Sequence, residues 1–543
     1  MRRWNGWGDD ATVATLNADA LTMLRELAGA PMASQPPDAT LQGFLSRLPA
    51  SRLPAHPLIT TDAGERFKVA LGESFHDWLR RRVGALPTVP DGVAFPESSG
   101  QVRELLDAAQ ANNWMVIPFA GGTSVAGHLD CPQSTRPVLS INLTRMNRLL
   151  HLDKLSQLAT FGAGTAGPLV EAQLRAQGYT LGHFPQSFEY STVGGWVVTR
   201  SSGQQSLRYG RIEQMFAGGR VETPVGTLNI PTFPASSAGP DLREMVLGSE
   251  GRFGVLTEVI VRVTPLPEHE SFHAIFLPSW DAAEAGVREL VQMKLPLSML
   301  RVSNAVETYT NLAMAGHPKQ IALLESYLSM RGCSQGKCLL TLGTTGDKRT
   351  SAHALKIARQ VLAKQGAVYC GKGMGAKWAE NRFKGPYLRN ALWENGYSAD
   401  TIETAVDWPQ VKNCMQAMEN AARETFAAYG EKCHAFTHLS HLYPQGSSIY
   451  STFVWATAPG GFTPNFERWQ NYKAAVSAAI AAHGGTVSHQ HGVGRDHAAN
   501  LPLEKGALGM SALAALCRHF DPQRIMNPGK LLLDSSADET WVS

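Results

Sequence analysis

Pro118-Phe119-Ala120-Gly121-Gly122-Thr123-Ser124-Val125-Ala126-Gly127 follows directly on the apolar run Trp114-Met115-Val116-Ile117-Pro118. That run reads as a buried strand, so the glycine-rich stretch starts where a strand ends. Adjacent glycines let backbone come close to a ligand. Successive amide N–H groups, helped by the Thr123 and Ser124 hydroxyls, can form a nest for a pyrophosphate. The pattern is neither Gly-x-Gly-x-x-Gly with an acidic residue about 20 positions on, nor a Gly-x-x-x-x-Gly-Lys-Ser/Thr loop. A plain tight turn would use the same residues, so this loop must be weighed with its surroundings.

Upstream, Val93-Ala94-Phe95-Pro96 and the helical pattern Ser99–Asn112 complete a strand–helix–strand unit with it. Downstream, strands are expected at Val138–Asn142, Ala159–Ala163 and Val255–Val263, and Thr264-Pro265-Leu266-Pro267-Glu268 reads as a linker. From about 269 onward strands alternate again with amphipathic helices at Ser279–Gln292, Ala352–Gln365 and Val411–Tyr429, which predicts a second α/β or α+β domain. Residues 1 to about 85, broken by Pro31, Pro36, Pro37, Pro49, Pro54 and Pro57, read as a helical extension lying on the main body.

Two further loops carry the same signature. Pro185-Gln186-Ser187-Phe188-Glu189-Tyr190-Ser191-Thr192-Val193-Gly194-Gly195-Trp196, continuing to Thr199-Arg200-Ser201-Ser202-Gly203, packs hydroxyls and glycine turns into a short stretch, with Trp196 able to pack behind it. Gly248-Ser249-Glu250-Gly251-Arg252-Phe253-Gly254-Val255-Leu256 leads into the last strand of this region. One such loop is a turn; three in this order suit a long polar ligand.

The bulk properties are those of an ordinary globular protein with more than one domain. A chain of 543 residues requires more than one core, and 43% hydrophobic with 17% charged residues is ordinary globular composition. The net charge of +3 points neither to nucleic acid nor to a membrane surface, and would not repel an anionic substrate. No run reaches the roughly 20 apolar residues of a membrane span, and the amino terminus lacks the apolar stretch of a signal peptide. The seven cysteines include no Cys-x-x-Cys pair, which suits buried thiols in a reducing compartment. A cytoplasmic enzyme is expected, with a homodimer left open.

The three loops resemble those of the FAD-linked oxidases of the vanillyl-alcohol oxidase type, and within them the alkylglycerone-phosphate synthase branch. The likeness runs from Arg3-Trp4-Asn5-Gly6-Trp7-Gly8 to Asn527-Pro528-Gly529-Lys530. It implies an α+β fold: an FAD-binding domain of two subdomains over 86–268, an α/β cap over 269–495 that carries the substrate site, the helical extension 1–85, and a segment 496–543 returning to the FAD-binding domain. By the resemblance, Pro118, Ala120, Gly121, Gly122, Thr123, Ser124 and Val125 hold the FAD pyrophosphate. Gln186, Ser187, Ser191, Thr192, Thr199, Ser201, Ser202, Glu250, Gly251, Gly254 and Val255 line the rest of the cofactor, and Arg301 lies near the flavin edge. His128 and His183 read as structural histidines, without a covalent flavin link. Trp541-Val542-Ser543 is no peroxisomal address.

The resemblance also nominates the reactive groups. Arg389 matches an arginine that contacts a carboxylate, a role that a guanidinium fills through two parallel hydrogen bonds. Tyr450 matches an acid/base tyrosine. In Ser488-His489-Gln490-His491-Gly492-Val493-Gly494-Arg495, three consecutive histidines are the family pattern, the middle one being the base. In the related metal-dependent 2-hydroxyacid dehydrogenases the corresponding residue is a metal-binding glutamate. Here it is Gln490, an amide, which is no base near neutral pH and a poor metal ligand. Proton handling therefore falls to Tyr450 and a flanking histidine, His491 before His489. His438 and His441 invite a metal hypothesis, but a polar pocket is the expected use and no metal site is assigned. The expectation is an FAD-dependent oxidoreductase acting through flavin N5 on an anionic hydroxylated small molecule. The alternatives are the ether-lipid transferase itself and a metal-assisted D-2-hydroxyacid dehydrogenase.

Overall fold

The structure is a computed structural model that describes residues 2–32, 39–533 and 539–540. Three sheets organise it. A four-stranded sheet runs in the order Ile59–Thr60, Gly92–Ala94, Val138–Asn142, Met115–Phe119, its last three strands parallel. Strand, crossover helix Ser99–Ala111 and strand form a βαβ unit, as read from the sequence, and the helix is started by Ser98, whose side chain accepts the Gln101 N–H. Beside it lies a five-stranded antiparallel sheet in the order Gly226–Ile230, Phe216–Thr223, Val255–Arg262, Leu158–Gly162, Leu149–Asp153. The two sheets share one hydrophobic cluster that includes Val116, Leu139, Ile141, Phe161, Trp196 and Val259.

The third sheet decides where chemistry can happen. Its seven antiparallel strands run Val368–Tyr369, His269–Leu277, Cys338–Gly346, Met299–Ser303, Cys433–Leu439, Gly446–Ala456, Tyr397–Asp407. The helices Trp280–Gln292, Lys348–Ala363 and Trp408–Ala427 cover one face. Side chains alternate across a strand. Leu300, Val302, Leu340, Ala435, Ile449 and Phe453 therefore enter the helix-covered core, while Met299, Arg301, Thr341, His438, Tyr450 and Thr452 face the opposite way into a cavity.

Two expectations need correction. Thr264–Pro265 is not a bare linker: it pairs with Tyr179–Thr180 as a two-stranded ladder. The amino-terminal region forms helices, at Ala18–Leu27, Leu41–Leu45, Ala63–Val69 and Phe75–Val83, but it does not merely lie on the body. Phe75, Trp78 and Leu79 are wholly buried in the core of the seven-stranded sheet, with Phe75 against Trp455 at 5.3 Å between ring centroids. Apolar aromatic residues at i and i+3 gave that helix a buried face. At the far end of the chain, Val116 donates to the Ile525 carbonyl and Asn527 donates back to Val116, adding a parallel bridge beside the strand that precedes the first glycine loop.

Candidate active site

The free face of the seven-stranded sheet and the three glycine loops enclose a cavity of about 1060 Å³, at the upper end of the roughly 300–1,000 Å³ of ligand pockets. Pro118, Ala120, Gly121, Gly122, Thr123, Ser124 and Val125 line it, as do Gln186, Ser187, Ser191, Thr192, Thr199, Ser201, Ser202, Glu250, Gly251 and Gly254. From the opposite wall come Arg301, Arg389, Tyr450, Gln490 and His491. Two nominated residues are not among the lining groups. Val255 is a fully buried ladder residue paired with Glu222. His489 sits behind the wall, buried against Arg211 and Tyr443.

Glycine in the first loop answers to the protein rather than to a ligand directly. A Cβ on Gly121 would stand 2.2 Å from the Tyr190 carbonyl oxygen, and one on Gly122 2.8 Å from the Phe119 ring. Gly122 also has φ +63°, the left-handed region that favours glycine. The loop is thus pressed against Phe119 and Tyr190 from behind. Among the described residues, none of the amides of Gly121 to Val125 donates to a protein acceptor. These half-buried donors face the cavity rather than a protein acceptor, and an anion there would satisfy them. The second loop is braced similarly: Trp196 Nε1 donates to Ser191 Oγ at 2.7 Å, and Thr192 Oγ1 accepts the Gly195 N–H. Ser202 Oγ is buried with no partner. These residues fit the pyrophosphate and hydroxyl groups of FAD.

Glu250 plays another part. Its carboxylate accepts the N–H groups of Val493 (2.5 Å) and Gly494 (2.8 Å) and lies 3.2 Å from His128 Nε2, so it ties the third loop to the Gly492-Val493-Gly494 turn. His128 Nδ1 is bonded to Ser124 Oγ, and His183, bonded to Ser201 Oγ, packs on Trp196. Both histidines have protein partners.

On the substrate side, Arg389 is packed over Trp78 at 4.7 Å and donates from Nη1 to the Glu73 carbonyl at 2.8 Å. Its Nε and Nη2 are buried without partners, and burial depresses its pKa. A desolvated guanidinium with open donors is a receptor for an oxyanion. Tyr450 OH donates to Thr401 Oγ1 at 3.2 Å, its ring stacks on His438 at 4.9 Å, and burial pushes its phenol up to about 12. It therefore stays protonated at ordinary pH and can offer a hydrogen bond.

Arg301 faces the cavity but is held by an ion pair. Its Nη2 lies 2.7 Å from Glu307 Oε1 and 3.0 Å from His438 Nδ1. Burial alone would raise Glu307, but Arg301 and His438 outweigh it and hold the carboxyl down to about 2. His438 is further committed to Glu307 at 2.9 Å, and His441 Nδ1 to Ser440 Oγ at 2.8 Å. Burial lowers the pKa of both histidines. They do not converge on a metal position: among the described residues the one compact group of His and carboxylate donors is His76, Asp77 and Asp130, in another place.

Sequence reasoning missed the group that organises the histidine turn. Glu403 Oε1 accepts the backbone N–H groups of Gln490 (2.6 Å) and His491 (2.8 Å) and stands 3.6 Å from His491 Nδ1. Burial would raise Glu403, yet His491, His489 and these amides hold it far below the usual carboxylate range. His489 Nε2 contacts both Arg211 Nη1 and Tyr443 OH at 2.6 Å, which makes it a support of the turn. Gln490 Oε1 is buried without a partner. Glu403, Arg211 and Glu73 belong to no local motif; only their placement across the fold marks them. One arm of the cavity is apolar, lined by Met23, Leu24, Leu312, Ile321, Leu324 and Leu392.

Fold and site together define an FAD-linked oxidase, and the chain belongs to that family: residues 90–230 match its FAD binding domain and 266–531 the FAD linked oxidases C-terminal domain. The alkyldihydroxyacetonephosphate synthase of Trypanosoma brucei brucei is 30% identical over 92% of this chain and 82% of its own. That of Dictyostelium discoideum is 30% identical over 90% of this chain and 80% of its own. A solved alkyldihydroxyacetonephosphate synthase structure superposes with a TM-score of 0.83 at 26% identity, covering 97% of this chain and 98% of that one. The chain is thus an FAD-linked oxidase family enzyme similar to these synthases. No helix of the described residues is long and apolar enough to cross a membrane.

Proposed function

We propose that this chain is an FAD-dependent oxidoreductase whose substrate is a small hydroxylated anion carrying an apolar body. The observation that carries this reading is Arg389, half-buried at the cavity wall, whose Nε and Nη2 are buried and unpartnered. An unpaired buried charge is costly, and a carboxylate or phosphate of the substrate would satisfy both donors in one plane. The apolar arm would take the rest of the molecule.

Bound in the cavity, FAD supplies the hydride-accepting chemistry. The open amides of Gly121 to Val125 would hold its pyrophosphate. Arg389 would fix the anionic end of the substrate, and Tyr450, protonated, would turn its hydrogen bond from Thr401 to the oxygen being transformed. His491 would accept the hydroxyl proton, held in place by Glu403. Gln490 would contribute a polar wall and no proton transfer.

Ether-forming transfer is the second reading, favoured by two observations: the apolar arm offers room to an alkyl chain, and the relatives reported above are named as alkyldihydroxyacetonephosphate synthases. Metal-assisted oxidation has less support, since His438 is bonded through Nδ1 to Glu307 and Arg301, and neither it nor His441 belongs to a compact group of metal-ligating side chains among the described residues. The same reading divides the chain into the extension 1–85, the FAD-binding domain 86–268, the cap 269–495 and the returning segment 496–543. A reducing, cytoplasmic setting would suit the seven cysteines, which are free thiols and mostly buried. The test is anaerobic titration of the flavin-loaded protein with 2-hydroxy acids, sugar acids and alcohols. Bleaching by a hydroxy acid is expected; bleaching by neutral alcohols alone would refute the anionic substrate.

A further inference from the structure

The stretch Arg2 to Asp9 crosses between two parts of the site, and its composition is explained by neither. At one end Arg2 Nη1 donates to the Gly121 carbonyl at 2.6 Å and Nη2 to the Gly122 carbonyl at 3.3 Å, with the guanidinium over the Tyr190 ring at 5.0 Å. At the other end Trp7 and Asn390 exchange hydrogen bonds, 3.2 Å from the Trp7 N–H to Asn390 Oδ1 and 2.9 Å from Asn390 Nδ2 to the Trp7 carbonyl. Asn390 neighbours Arg389 in the helix Leu388–Glu394.

The two glycines make this seat. A Cβ on Gly6 would fall 2.3 Å from Asn390 Oδ1, and one on Gly8, at φ +89°, would fall 2.1 Å from Tyr387 Cε1. Any larger residue would lift the strap off Tyr387 and Asn390 and draw Arg2 away from the loop.

Arg2 fixes a direction. No peptide bond of the described residues is cis, and in a trans peptide the N–H points opposite to the C=O. Pulling the Gly121 and Gly122 carbonyls outward turns the N–H groups of Gly122 and Thr123 toward the cavity. We infer that Arg2 is a positioning residue for the pyrophosphate nest, delivered there by the seating of Gly6 and Gly8 on Asn390 and Tyr387. The inference rests on the reading of Gly121 to Val125 as that nest.

The test measures FAD affinity of the full-length apoprotein by quenching of flavin fluorescence, with the apoprotein melting temperature as a check on folding. Arg2→Ala should raise the FAD Kd by about tenfold or more, the scale of one charge-assisted hydrogen bond. Arg2→Lys, which lacks the planar fork, should fall between. Gly8→Val should weaken FAD comparably, and the double variant should be no weaker than the worse single one, since both act through one contact. Unchanged FAD affinity in Arg2→Ala would overturn the inference, as would full additivity with Gly8→Val. Gly122→Val separates the two readings: if it loses FAD while Arg2→Ala does not, the nest stands and Arg2 has no part in it. If both bind FAD normally, the nest itself is misassigned.

Discussion

Glu403 Oε1 accepts the backbone N–H of His491 at 2.8 Å and lies 3.6 Å from Nδ1 of the same residue's ring. A single buried carboxylate thus holds both the main chain and the imidazole of the residue assigned to proton transfer. Glu403→Gln keeps the shape but loses the charge. Turnover should fall toward the scale of the lost general base, about 10²–10⁴-fold, with flavin content unchanged. Rapid-quench or steady-state assay beside the flavin spectrum checks it. Near-normal turnover would show that the turn needs no carboxylate.

Arg389 is expected to anchor the anion. Truncating one member of a desolvated charge pair typically costs about 2–5 kcal/mol. Arg389→Ala should therefore lower kcat/KM by orders of magnitude with the FAD complement intact. Arg389→Lys should recover little, because a point charge replaces two coplanar donors. Equal kinetics in the native and alanine proteins would remove this role.

Gly122→Val should lose flavin. Leaving φ +63° to a branched residue costs about 1–2 kcal/mol, before the contact with the Phe119 ring. Equilibrium dialysis of the variant against FAD reads the outcome, and normal affinity would contradict the assignment of the loop.

A pH dependence follows from His76. Its Nε2 is 3.1 Å from Asp496 Oδ1 and 3.8 Å from Asp130 Oδ2, and its Nδ1 is 3.6 Å from Asp77 Oδ1. Burial alone would lower this histidine, but the three carboxylates outweigh it and raise it to about 9. A raised pKa contributes stability that is complete below the unfolded value, about 6.5, and is lost as pH rises through about 9. The melting-temperature deficit of His76→Asn should thus be largest near pH 6 and shrink toward pH 10, as read by thermal melts. A deficit that grows with pH would contradict the sign.

What was legible in the sequence was local. The loop at Gly121-Gly122, the hydroxyl-rich stretch around Ser191 and the Gln490-His491 pair before the Gly492-Val493-Gly494 turn each announce themselves by residues close together in the chain, and the structure brings them to one cavity. Glu403 was silent because its partners Gln490 and His491 lie 87 and 88 positions away, and a glutamate in an alternating strand looks like any solvated one. Arg211, which holds His489 together with Tyr443, was silent for the same reason. Val255 was misplaced by motif adjacency, since in a strand the neighbour of a lining residue faces the other way, and His489 because its partners Arg211 and Tyr443 are distant in the sequence. The amino-terminal extension looked peripheral because its proline breaks hid a helix whose Phe75 and Trp78 are wholly buried.

Gln490 separates the two readings of the chemistry. If the chain is an oxidoreductase, Gln490→His should not improve flavin reduction, since His491 already serves as the base. If it is a synthase short of its base, the same change should raise ether formation. Parallel assays of the two activities in both proteins decide it.

The account's central claim, redox chemistry on an anion held by Arg389, is tested most directly by anaerobic flavin absorbance. The flavin-loaded native protein is mixed with long-chain 2-hydroxy acids, beside an incubation with acyl-dihydroxyacetone phosphate and a long-chain alcohol. The account predicts bleaching of the visible flavin band by a hydroxy acid, abolished in Arg389→Ala, with little ether product. A flavin that stays oxidised with every hydroxy acid, together with robust ether product, would contradict it.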